Sequence, residues 1–185
     1  MAQNIAKPSH VCVSILIAML MGSHGMAKTK SLLRTKELRG GQSPLEVSVD
    51  VSGVDILDLA ATGYSWGQAV WAEPVLVAKD GSVSSLLDLT PIAAKVSWGS
   101  FTQNKGPDGK ALAIGQRRFT RGLFAHADSR LLYRLDGKYV RFQAWVGINH
   151  TAADRGKVIF EIRDGSGYEL EVRFQKAQAV FTRPV

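Results

Sequence analysis

Apolar and polar positions alternate along several stretches of this chain. Leu45, Val47, Val49 and Val51 alternate with Glu46, Ser48 and Asp50. Val140, Phe142, Ala144, Val146 and Ile148 share one side of a run whose other side carries Arg141, Gln143 and Trp145. Val158, Phe160 and Ile162 form a shorter set, and Tyr168, Leu170, Val172 and Phe174 alternate with Glu169, Glu171 and Arg173. A period of two sends successive side chains to opposite faces, so these runs predict half-buried antiparallel strands. Helical signal is confined to Ser84–Leu89, enough for about one turn. Asp-Gly pairs fall at Asp80, Asp108, Asp136 and Asp164, 28 residues apart each time. The glycine accepts a positive φ and the aspartate caps the turn, which suits hairpins, and the third and fourth pairs lie between alternating runs. The sequences around the four pairs do not resemble one another, so the spacing is read as coincidence rather than as a repeat. Short strands separated by turn signals predict an all-β sandwich or barrel.

Residues 1–27 read as a secretory signal peptide: Lys7 is the basic start, Val11–Met21 the apolar run, and Gly25-Met26-Ala27 a small-residue cleavage site. An uncleaved membrane anchor is the alternative, although the run is short for a bilayer. The chain beyond Ala27 is long enough for one domain with its own core. The only cysteine, Cys12, lies inside the signal, so the mature chain is expected to hold no disulfide and no Cys-ligated metal. This fits a bacterial secreted, periplasmic or cell-envelope protein.

The net charge of +7 points toward nucleic acid until its location is considered. Residues 28–41 carry Lys28, Lys30, Arg34, Lys36 and Arg39 against Glu37, while residues 42–185 hold 17 basic and 15 acidic residues. A nearly neutral folded part argues against a broad phosphate-binding face. Residues 28–43 are read as a solvated basic linker and 44–185 as one β-sandwich domain.

The most specific stretch is Arg121-Gly122-Leu123-Phe124-Ala125-His126-Ala127-Asp128-Ser129. It leads into Tyr133-Arg134-Leu135, the turn Asp136-Gly137-Lys138-Tyr139, and the run Val140–Gly147. This resembles the NPCBM family of carbohydrate-binding modules, which are often appended to glycoside hydrolases; Asn149 stands where that family usually has Asp. The resemblance implies a secreted, non-catalytic, galactose-binding-like jelly-roll sandwich that binds sugar. Segment order departs from the family's. Val96-Ser97-Trp98-Gly99 resembles the family's opening, whereas the segment resembling its closing, Val47–Leu59 through Trp71 to Pro74, comes earlier. A circularly permuted single domain is the favoured reading, with two truncated neighbours of a tandem array as the alternative. Termini that lie close together make permutation easy, and half a sandwich would expose unpaired edges.

The candidate carbohydrate-binding residues are Trp66, Gln68, Trp71, Arg121 and His126; none is assigned to catalysis. A flat indole offers a large contact area to the apolar face of a sugar at small entropic cost. Trp66, in Gly63-Tyr64-Ser65-Trp66-Gly67-Gln68, is the best stacking platform by context. Trp71 matches the family's closing Trp, which reads equally as a packing residue. Trp98 is expected in or near the core, and Trp145 on the sandwich exterior. His126 either hydrogen-bonds a sugar hydroxyl or sits buried and fixes its own loop. The family often carries acidic residues and His before its closing Trp, and here Gly67, Gln68, Ala69 and Val70 replace them, although Gln68 can bond vicinal hydroxyls. Arg121 sits where the family has Lys or Arg before Gly. With Arg117 and Arg118 it forms either a clamp for an acidic sugar or a solvated strand edge.

No paired carboxylates, Gly-x-Ser-x-Gly, His-Glu-x-x-His or phosphate loop mark an enzyme. No cofactor is expected; a structural calcium is compatible with the fold class, but no residues locate one. The expected partner is a glycan, with no nucleic acid and no transmembrane segment in the mature chain. The competing function is a protein–protein or scaffold module of the same fold without a sugar site, with partners in the cell envelope.

Overall fold

A computed structural model describes residues 29–64 and 66–167. The expected signal peptide and the alternating run Tyr168–Phe174 lie outside the described residues. The strands are β1 (Lys30–Arg34), β2 (Leu38–Arg39), β3 (Leu45–Asp50), β4 (Ile56–Tyr64), β5 (Gln68–Ala78), β6 (Val83–Ser85) and β7 (Ala93–Val96). They continue with β8 (Thr102–Gln103), β9 (Leu112–Ile114), β10 (Arg117–Phe119), β11 (Gly122–His126), β12 (Ser129–Arg134), β13 (Tyr139–Ile148) and β14 (Lys157–Asp164). Two short 3-10 turns, Leu86–Asp88 and His150–Ala152, complete the described elements. The first falls inside the stretch expected to be helical; Ser85 caps it by accepting from the Leu87 N–H.

Two antiparallel sheets pack face to face. The first has the order β1-β14-β4-β12-β7, with β2 also on β14; the second has β3-β13-β5-β11-β8, with β6 also on β5. Successive strands cross between sheets: β3, β5, β11 and β13 lie in the second, β4, β12 and β14 in the first. This is a jelly-roll sandwich. Its interior takes Val47, Trp71, Phe142 and Val146 from one sheet and Leu57, Leu131, Phe160 and Ile162 from the other. Each such burial contributes about 1.5–3 kcal/mol before conformational entropy is subtracted.

The alternating runs become strands because each has one buried face. In β3, Val47 and Val49 are buried while Glu46, Ser48 and Asp50 are exposed. In β13, Phe142, Ala144, Val146 and Ile148 are buried. The early strands pair directly with the late ones: β3 lies on β13, β4 between β12 and β14, and β5 between β11 and β13.

Two expectations are corrected. Residues 28–43 are not simply a linker, because Lys30–Arg34 pairs with β14 and Leu38–Arg39 adds to the same strand. Leu32, Leu33 and Leu38 pack against the core, and Arg34 bonds Glu161 at 2.9 Å. The charges along this segment concealed an apolar set that the core captures. Asp136-Gly137 is not a hairpin, because β12 and β13 belong to different sheets. The turn has positive φ at both residues, 52° and 61°, and carries the chain across the sandwich. The Leu135, Asp136 and Gly137 N–H groups donate to the carbonyls of Asp55 and Val54.

The outward faces are covered too. Over the second sheet, the β9–β10 ribbon closes a smaller cluster of Val70, Leu112, Ile114, Phe119 and Phe124. Over the first sheet, Asp58 in β4 is completely buried, and Arg130 grips both its carboxylate oxygens. A buried carboxylate is tolerable only with such a partner.

Candidate functional site

One end of the sandwich gathers the connection between β4 and β5, the β7–β8 and β8–β9 loops, the end of β11, and the β13–β14 loop. Trp66, Gln68, Trp98, Pro107 and His126 line an open cleft of about 400 Å³ there, with largely apolar walls. Pairing of His126 with Gln68 across β11 and β5 fixes the floor. The backbone holds the walls: the Ala127 N–H donates to the Gly67 carbonyl at 2.7 Å, and Ser97 donates from its N–H to the Asp128 carbonyl at 2.9 Å. Asp128 also accepts from the Gly63 N–H at 3.0 Å.

Trp66 is 46% exposed and sits in the left-handed region with φ 66°. A bulky residue there costs about 1–2 kcal/mol. The conformation is held because the Trp66 carbonyl accepts from the Gln68 N–H at 2.7 Å. Gly156, with φ 83°, lets the β13–β14 loop approach that carbonyl so closely that a Cβ would lie 2.3 Å from it. The same approach sets the Arg155 guanidinium 3.8 Å from the Trp66 ring centroid. Arg155 carries no signal in the sequence; nothing in its flanks distinguishes it from other surface cations.

Trp98 corrects an expectation. It is 68% exposed rather than buried, because its loop leaves β7 at the sandwich rim. Its ring meets His126 edge-on at 4.5 Å and 84°, and Phe124 meets His126 from 5.0 Å at the same angle. Gly99, with φ 70°, packs its backbone against this ring, where a Cβ would come within 3.3 Å of Nδ1. Nδ1 is buried and makes no well-formed hydrogen bond among the described residues. Burial lowers the His126 pKa below its ordinary value, and the nearby Trp98 backbone offsets only part of that effect. The shift favours the neutral form of the ring.

Gln68 is nearly buried, and its Oε1 accepts from the Thr151 hydroxyl at 2.5 Å. Asn149 Nδ2 donates to that hydroxyl at 2.7 Å, and Asn149 Oδ1 accepts from the Ala113 N–H at 3.3 Å. The chain of bonds ties β5, β9 and the turn after β13 together behind the cleft. It engages one lone pair of the Gln68 carbonyl and orients the amide, and no described residue accepts from its Nε2.

Two sequence candidates lie elsewhere. Trp71 is 1% exposed and packs against Phe160 at 5.1 Å and Phe142 at 6.4 Å, so it is a core residue and leaves the ligand set. Arg121 stands at the opposite end of β11 from His126, about 16 Å along an extended strand, and donates to Asp88 at 3.1 Å. It does not reach the cleft. Arg117 is likewise engaged, bonded to Glu73 at 3.3 Å and stacked 4.3 Å from the Trp145 ring on the outer face of the second sheet. Among the described residues, no group of three or more His, Cys, Asp or Glu is placed to hold a metal ion. No described helix is long and apolar enough to cross a membrane.

The cleft combines exposed indoles, a neutral imidazole and an amide, a set suited to stacking and hydrogen bonding. No curated protein and no solved structure shows significant similarity to the chain. The model of one family, the NPCBM/NEW2 domain, matches residues 82–178, more than half the sequence. That match spans the His126 strand, the Trp98 loop and the β-sandwich strands that carry them, and the chain belongs to the NPCBM/NEW2 family of carbohydrate-binding modules.

Proposed function

We propose that this protein is an exported, non-catalytic module that binds a glycan in the cleft between Trp66 and Trp98. The observation that carries the reading is the pair of exposed indoles opening onto one cleft whose floor is His126 and Gln68. A pyranose presents an apolar C–H face to an indole and hydroxyls to the imidazole and to the Gln68 amide. Affinity at one such site is modest, since well-solvated hydroxyls must be stripped of water for a few stacked contacts. Export rests on the apolar stretch near the start of the sequence, and a periplasmic, secreted or cell-envelope location accompanies it. Measuring which fraction of the chain begins at Lys28 tests that part.

A glycan array probed with the chain after Ala27 tests the binding reading. Trp66→Ala and Trp98→Ala are each expected to lower binding about tenfold or more, about 1.4 kcal/mol, with melting temperature unchanged. An array blank at high protein concentration, with the protein folded, would defeat glycan binding and favour a scaffold role for the same exposed aromatics.

A further inference from the structure

The cleft is lined by Trp66, Gln68, Trp98, Pro107 and His126, with no carboxylate among them. The acids nearest in sequence are engaged elsewhere. Asp108 accepts from the Lys110 N–H at 3.1 Å, with Lys110 Nζ 3.8 Å away, and Asp128 accepts from the Gly63 N–H. Outside this apolar lining, the Arg155 guanidinium lies over the ring of the exposed Trp66. Most guanidinium groups on the described surface have carboxylates: Arg34 has Glu161, Arg117 has Glu73, Arg121 has Asp88 and Arg130 has Asp58. Arg155 has no carboxylate within ion-pair distance among the described residues. Its side chain rests on the indole, and its N–H donates to the Ala152 carbonyl.

The position is built. Gly156 permits a backbone approach that any side chain would block, and that approach delivers Arg155 to the indole. A guanidinium resting on an aromatic face gives up little hydration, and its planar fork of donors stays open. Such a fork matches the two oxygens of a carboxylate or the oxygens of a sulfate ester, in a bond about twice as strong as one between neutral groups. Arg155 is not itself part of the cleft lining; it sits on the Trp66 ring, so a ligand substituent that extends past that indole meets the fork.

We propose that the cleft selects glycans carrying an anionic substituent, a uronate carboxylate or a sulfate ester, and that Arg155 reads the charge. The inference rests on the glycan-binding reading above and deepens it. Trp66 and Trp98 supply contact with the ring faces, and Arg155 discriminates between a charged sugar and its neutral counterpart.

The test is an array carrying neutral, uronate-bearing and sulfated oligosaccharides, followed by titration of the strongest binder of each class at rising ionic strength. The expected result is strongest binding to one or both anionic classes, weakening with salt. The uronate and sulfate arms decide which substituent is preferred. Arg155→Gln is expected to lower the anionic affinity about tenfold and leave any neutral binding unchanged, with an unaltered melting temperature because the residue is exposed. Lys138→Gln, at the opposite end of the sandwich, controls for general charge attraction and is expected to change nothing. Equal or stronger binding of neutral glycans, or an Arg155→Gln variant indistinguishable from the parent, overturns the charge-reading role and leaves the glycan site standing. Loss on Lys138→Gln equal to that on Arg155→Gln overturns it as well. Silence across all three classes removes the glycan site itself.

Discussion

The two ends of the sandwich solve the same problem in opposite ways. Both must turn strands back without stranding backbone polar groups. At the end bearing Asp50, Asp80, Asp136 and Asp164, the turns satisfy themselves. Asp50, Asp80 and Asp164 each accept from the N–H two residues on, at Ser52, Ser82 and Ser166. A depression of about 320 Å³ lies there, beside Asp50 and Asp164, but those carboxylates are already engaged. At the other end the connections are held by bonds between loops, and they leave apolar surface uncovered: Trp66, Trp98 and Tyr64, the last 83% exposed. An exposed aromatic, a left-handed Trp, and a cation and a buried imidazole nitrogen that find no partner among the described residues meet at one end, and satisfied aspartate turns occupy the other. Departures from local rules concentrate where ligands bind.

The largest effect is expected where both ends are struck together. A fragment of residues 82–185 lacks β3, β4 and β5, which pair with β11, β12, β13 and β14, and it should show no cooperative melt. A sharp transition from it would mean that the late strands form a core alone, and would also remove the case for a permuted single domain. Next is the polar chain behind the cleft. Asn149→Ala leaves the buried Ala113 N–H without its acceptor and removes the donor to the Thr151 hydroxyl, a loss of about 1–3 kcal/mol by chemical denaturation. A cost near zero would show that the cleft end does not depend on that network.

Tyr133 lies in the interior between the ends, completely buried, and its hydroxyl finds no partner among the described residues. Burial pushes its pKa far above the ordinary value. Tyr133→Phe should stabilise the fold by about 1 kcal/mol without touching the proposed glycan binding; destabilisation would reveal an unseen partner. The smallest effect belongs to the aspartate turns. Hydrogen bonds from Ser82 hold the Asp80 pKa below its ordinary value. A lowered folded value contributes stability above the unfolded pKa of about 3.9 and loses it as pH falls through the folded one. Asp80→Ala should therefore be slightly less stable than the parent at pH 7 and converge with it in acid, with binding unchanged. A binding defect at either pH would break the division of labour between the ends.

Acid also reaches the cleft, in a different window. The His126 pKa is lowered by burial, so its contribution is complete above about 6.5 and declines as pH falls from there through the folded value. Glu161, by contrast, has burial working to raise its pKa, but hydrogen bonds from Arg163 and Ser31 and the charges of Arg163 and Arg34 outweigh burial and lower it. Its contribution is lost only in stronger acid.

The strands with one wet face were legible. Val47 and Val49 in β3, and Phe142 to Ile148 in β13, announce themselves because the pleat writes burial into alternate letters. β4 and β11 were not, since both of their faces are covered. Ile56 to Ala61 are buried without a break, the outer face roofed by Arg130, and Phe124 lies under the β9–β10 ribbon. The His126 motif and Trp66 were visible as residue types in context. Trp98 was misplaced because a Trp after an apolar run reads as core until the loop's exit from β7 is known, and Arg155 was invisible because its meaning comes from Trp66, far away in the chain.

The sequence by itself determined the sandwich class, the family and the aromatic character of the site, because alternation and local motifs are properties of neighbouring residues. Which Trp faces water, which Arg side chains meet a carboxylate among the described residues, and which strands share a sheet were decided only by tertiary structure. Exposure and pairing are set by what long-range packing brings against each side chain, and no local pattern encodes that.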